Sequence, residues 1–144
     1  MGNALWLVYA LLAAVTGALV ALFGKMGLQG VDSNVATAVR SVIMAVFLLG
    51  VIAVQGKLSL IPVITGNRRA LCFIALSGVA GALSWLFYFL ALRLGKVGQV
   101  APVDRLSVVF AIVLAYFFLG EKISLQGGMG VGLMVVGAIL VALA

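Results

Sequence analysis

Long uninterrupted apolar runs, separated by short polar breaks, dominate the chain. A helix needs about 20 mainly apolar residues to cross the hydrocarbon core of a bilayer. Five runs meet that length: Leu5–Phe23, Asn34–Gln55, Ala70–Leu92, Gly98–Leu119 and Ile123–Ala144. Backbone groups in lipid must be satisfied within their own segment, and the runs show no two-residue alternation, so helices are expected and a barrel is not. The pattern predicts an all-α integral membrane fold in one domain, residues 1–144, with only short loops to spare. The first run has no basic residue before it in MGNALW and is long for a signal peptide, so a retained helix is expected. The connection QGKLSLIPVITGNRR mixes aliphatics with Pro62 and predicts a segment lying at the membrane interface.

Composition sharpens the class. Of 144 residues, 66% are hydrophobic and 8% are charged, against about 25% charged in an average soluble domain. Exposed to water, such a chain would present large apolar patches and aggregate. The excess of nine Lys and Arg over three Asp and Glu is scattered in ones and twos between the spans. That placement fits anionic lipid headgroups and not nucleic acid. Histidine is absent, and the lone Cys72 sits inside an apolar run. No disulfide framework, metal-ligand cluster, cofactor motif or nucleophile–base pair emerges, which argues against an enzyme.

An odd number of spans puts the two termini on opposite faces. Lys57, Arg68, Arg69 and Lys122 fall on the N-terminal side, and Lys25, Arg93 and Lys96 on the other, with Arg40 and Arg105 near enough to snorkel there. The positive-inside rule needs a clear excess to fix orientation, and four against three, or four against five, barely supplies one. Two outcomes stay open: one orientation set by weak cues, or insertion both ways with antiparallel pairing. Small residues offer close-packing faces, among them Gly128 and Gly132 in the last helix, Ala13, Gly17 and Ala21 in the first, and Ser77 and Gly81 in the third. The glycine pair serves packing within the subunit or dimerisation equally well.

Ionisable groups inside a span are costly and become functional candidates. Arg40, Asp104 and Arg105 qualify. Arg40 and Asp104 each lie six residues into their runs, about 9 Å deep, so an ion pair between them is possible, leaving Arg105 to hold an anion. The competing reading starts a helix at Pro102, puts Asp104 in its first turn and lets Arg105 snorkel. Ser84, Trp85 and Tyr88 offer polar and aromatic surface for a cavity. Trp85 and Tyr88 share a helix face, although Tyr88 is also near enough to the end of its run to be an interfacial belt residue. Glu121, beside Lys122, reads as a structural turn residue.

The stretch Tyr88–Val141 resembles the end of an EamA domain of the drug/metabolite transporter superfamily. Its ALRLGKVGQ, APVDRLSVVF, Gly120-Glu121-Lys122 and GGMGVGLMVVG follow that family's order, and ATAVRSVIMAVFLL looks like its second helix, with Arg40 at the family's arginine. The resemblance implies half of a ten-helix inverted-repeat transporter, completed by a second copy inserted upside down. It implies a subunit in the cell membrane that moves small polar metabolites by alternating access. The first helix lacks the glutamate that related small multidrug resistance proteins use for exchange, which puts that mechanism in doubt and leaves Asp104 as the only embedded carboxylate. The alternative is a non-transporting accessory subunit of a larger or lipid-translocating complex.

Overall fold

The computed structural model describes residues 5–144, all helix and connection with no strand among them. The first span is α1, Leu5–Gly27. It runs a turn past the expected Phe23 because Lys25, in the last turn where a cation suits the helix C-terminus, donates from Nζ to the Gly95 carbonyl at 2.8 Å. The second, α2, spans Ser33–Val54. Asp32 caps it: Oδ1 accepts from the Asn34 and Val35 N–H groups at 2.9 and 3.1 Å, taking two of the donors that a helix start leaves unsatisfied.

The connection that follows is itself largely helical. A short 3₁₀ turn, Leu58–Leu60, leads into α3, Ile61–Gly66, which carries Pro62 in its first turn, where the missing N–H costs nothing. Asn67 then ends α3 and opens α4, its side-chain oxygen accepting from the Ala70 N–H at 3.1 Å. The helix α4 occupies Arg68–Leu94 and so takes up both arginines expected in the loop.

The fourth span differs most from its expected form. It begins at Val97, one residue before the expected Gly98 and not at Pro102, the competing start, and runs as α5, Val97–Asp104, before a turn at Arg105 and Leu106. A second piece, α6, covers Ser107–Leu114 and widens into a π-helical stretch, Ala115–Leu119. Pro102 is therefore interior, where it withholds the N–H that the Gly98 carbonyl would otherwise receive. Past it the backbone tightens: Leu106 donates to Val103 at 3.0 Å, Val108 to Arg105 at 3.1 Å and Val109 to Leu106 at 2.9 Å, all three-residue bonds of the 3₁₀ kind. The π stretch closes at Gly120, whose φ of 67° is left-handed and favours glycine. Finally, α7 spans Leu125–Leu143, capped by Ser124, whose Oγ accepts from the Gly127 N–H at 3.0 Å.

Among the described residues, five helical segments are thus long and apolar enough to cross a membrane. They fall into two compact units, one formed by the chain up to Lys25 with Leu94–Ala144, the other by Met26–Arg93. In the first, α5 packs against α7. In the second, α2 meets α4 through the contacts described below. Most large apolar side chains are exposed, the condition expected of helices whose surroundings are hydrocarbon.

Candidate functional site

The site is built in the Met26–Arg93 unit on two facing helix stripes. Along α2, Ser33, Thr37 and Arg40 recur at spacings of four and three, so they lie on one face. Ser33 and Thr37 are buried, at 1% and 3% exposure. Thr37 Oγ1 satisfies itself by donating to the Ser33 carbonyl at 2.7 Å, and Ser41 Oγ donates to Thr37 at 2.9 Å. Ser33 Oγ and Arg40 Nε, by contrast, are buried with no hydrogen-bond partner. A polar stripe therefore leads from the capped start of α2 to an arginine about 10 Å along it.

Opposite Arg40, α4 supplies a bed of rings. The guanidinium lies 3.7 Å from the Trp85 ring centroid and 4.9 Å from that of Phe89. Tyr88 and Phe89 each lie about one turn beyond Trp85, so the three rings meet. Trp85 and Tyr88 stand edge-to-face at 5.6 Å, Trp85 and Phe89 are tilted by 31° at 5.7 Å, and Tyr88 and Phe89 are 6.0 Å apart. The negative ring faces attract the cation, worth about 2 kcal/mol when water is excluded. Phe89, 3% exposed, anchors the bed.

Arg40 thus meets Trp85, a contact the sequence did not announce, while Tyr88, expected on the same helix face as Trp85, joins the ring cluster. Ser84 adjoins Trp85 in the chain but is exposed. Phe89, Ser33 and Thr37 escaped the sequence reading. Their signals were there: Phe89 lies four residues from Trp85, and a 4–3 spacing of small polar residues precedes Arg40.

Asp104 and Arg105 belong to the other unit, at the break of the fourth span. Asp104 is the last residue of α5 and Arg105 the first beyond it. Arg105 extends over α1 where there is no side chain: a Cβ built on Gly17 would sit 3.3 Å from its Nη2. Gly17, expected as a packing glycine, accommodates a guanidinium. Gly128 and Gly132 would meet nothing within 4 Å.

At the ends of α2 and α4 in the Met26–Arg93 unit, Arg93 approaches Asp32 at 3.8 Å, with the two side chains 52% and 56% exposed. At that length and exposure the pair contributes at most a few tenths of a kcal/mol; the cap is Asp32's stronger role. An open apolar groove of about 460 Å³ lies further along α2, between Val46 and Gln55, and includes none of the residues singled out.

Spans of this number and apolarity, one of them broken within its length, define a multi-pass membrane protein of helical type. Residues 4–143 match the EamA-like transporter family, and the chain belongs to it. A Sinorhizobium protein named "uncharacterized transporter in cobO 3'region" is 40% identical over 137 residues, covering 95% of this chain and 96% of that protein. No solved structure matches the chain. The family points to transport and not to catalysis.

Proposed function

We propose that the chain is a transporter subunit of the cell membrane, moving small polar metabolites by alternating access between two antiparallel copies of itself. The observation that carries this reading is the irregular turn of the fourth span, where interior Pro102 is followed by 3₁₀-type tightening at Arg105 and Leu106. Broken helices at membrane depth are tolerated where they line a cavity or a moving element, and they mark binding regions in transporters. Here the break holds Asp104 and Arg105, the only pair of opposite charges next to each other inside a span.

In this reading Arg40, with Trp85, Tyr88 and the neighbouring Ser84, contacts the substrate, while the Asp104–Arg105 break flexes as the cavity changes sides. The near-equal count of positive residues on the two faces supports insertion both ways. So does the relative from Sinorhizobium, whose length this chain almost fills, since a five-span form needs a partner to rebuild an inverted repeat. Gly128 and Gly132, with no atom against them, offer α7 as a close-approach face for that partner.

Fusing the C-terminus separately to alkaline phosphatase and to green fluorescent protein tests the arrangement. Both fusions are expected to be active in cells, because each reporter works on only one side of the membrane. A strong signal from one and silence from the other overturns the antiparallel homodimer.

A further inference from the structure

We propose that Arg40 anchors a single carboxylate, and that the molecule taken by this site is a small organic monoacid with an apolar body. The inference deepens the transport reading above and rests on it for the role of the site, though not for the chemistry of binding.

The first argument is charge. Arg40 lies inside α2, and the only acidic residue of its own unit is Asp32. That carboxylate already accepts from two backbone N–H groups and faces Arg93. An embedded cation whose unit holds no other acid than this engaged one calls for an anion from outside.

The second argument is geometry. Trp85 covers one face of the guanidinium at 3.7 Å, but rings engage the face and leave the N–H groups, which point outward in the plane, to other partners. Nε is buried with none. A planar fork with an unpartnered Nε along its edge matches a carboxylate, which receives two parallel N–H bonds. Stacking on an indole also fixes the orientation of that fork before a ligand arrives, so less side-chain freedom is lost on binding.

Third, one guanidinium compensates one charge. A phosphate monoester, carrying nearly two, would bring an uncompensated charge into a span. The rings of Trp85, Tyr88 and Phe89 next to the cation favour an apolar body over a second polar group. The second orphaned atom, Ser33 Oγ, stands two turns away on the same stripe and continues the polar path towards the start of α2.

The test uses the full chain in lipid nanodiscs with Trp6→Phe, which leaves Trp85 as the only indole. Its fluorescence is titrated with benzoate, hexanoate, benzamide and inorganic phosphate. Benzoate and hexanoate are expected to give saturable changes, and benzamide and phosphate none. Arg40→Gln is expected to weaken benzoate binding at least tenfold, and Arg40→Lys, which keeps the charge but not the fork, to weaken it less. Equal responses to benzoate and benzamide, saturation by phosphate in place of the acids, or no response to either acid overturns the proposal without any Arg40 variant having to fold. Counterflow of labelled benzoate in proteoliposomes separates the two readings. Saturable binding without counterflow retracts transport and leaves the anchor standing. Counterflow unchanged by Arg40→Gln retracts the anchor and leaves transport standing.

Discussion

Three arginines of this chain are held in three different ways. Arg40 lies flat on the rings of Trp85 and Phe89 with Nε unpartnered. Arg105 reaches over α1 at Gly17, where the missing side chain makes space. Arg93 faces Asp32 across 3.8 Å near the end of its helix. The first is held by attraction to ring faces that leave its donors open, the second by a steric opening at a helix break, the third by a loose surface pair. On the proposals above, the first would serve as a receptor and the second as part of a joint, while the third is at most a minor tether.

The largest expected effect follows from that ordering. Replacing Arg40 by Gln removes a charge-assisted hydrogen-bond donor worth about 1.5–3 kcal/mol, so substrate affinity or uptake should fall roughly 10- to 150-fold, measured in proteoliposomes. The same change at Arg93 should leave uptake within about twofold. Equal losses at both positions would dissolve the contrast.

Next come the joint's own residues. A leucine at Gly17 needs the volume now crossed by Arg105 and should cost about 1–3 kcal/mol of stability, read as a lower unfolding temperature in detergent. Alanine there should cost far less, since a Cβ 3.3 Å from the far end of a flexible side chain can be relieved by a small shift. Pro102→Ala restores a donor for the Gly98 carbonyl. It is expected to raise thermal stability by about 1 kcal/mol or more while slowing transport, because a joint has been stiffened. Faster transport would show that the break is not a moving part.

The smallest effect separates the two duties of Asp32. Asp32→Asn keeps an oxygen able to cap α2 and should change stability by less than about 0.5 kcal/mol, whereas Asp32→Ala loses the cap and should cost about 1 kcal/mol. Parity between the two, in thermal unfolding, would mean that the pair with Arg93 counts for more than its length allows.

How much of this was legible beforehand follows from what hydropathy measures. A run of apolar residues announces a span, so all five were found. Their ends shifted by one to four residues where a local partner decided: Asp32 at the start of α2, Asn67 at α4, Ser124 at α7 and Lys25 at the end of α1. Pro102 was visible but ambiguous, since it suits a first turn as well as it breaks an interior. Five residues of helix before it, Val97–Ala101, decide for the interior. The bed under Arg40 was half legible, because Trp85 and Tyr88 share a face by spacing alone, whereas their meeting with α2 is a contact between distant parts of the chain. Gly17 beside Arg105 could not be read at all. A glycine in an apolar helix looks the same whether it admits another backbone, a lipid tail or a guanidinium.

The π-helical stretch at Ala115–Leu119 has a consequence for anyone aligning or trimming this chain. Its wide turns bond across five residues where an ordinary turn bonds across four, so a stripe drawn at 3.6-residue intervals drifts away from Tyr116, Phe117 and Phe118 inside it. Because the helix ends at Leu119 and Gly120 turns the chain, that drift is confined to the last turn and passes to no later helix.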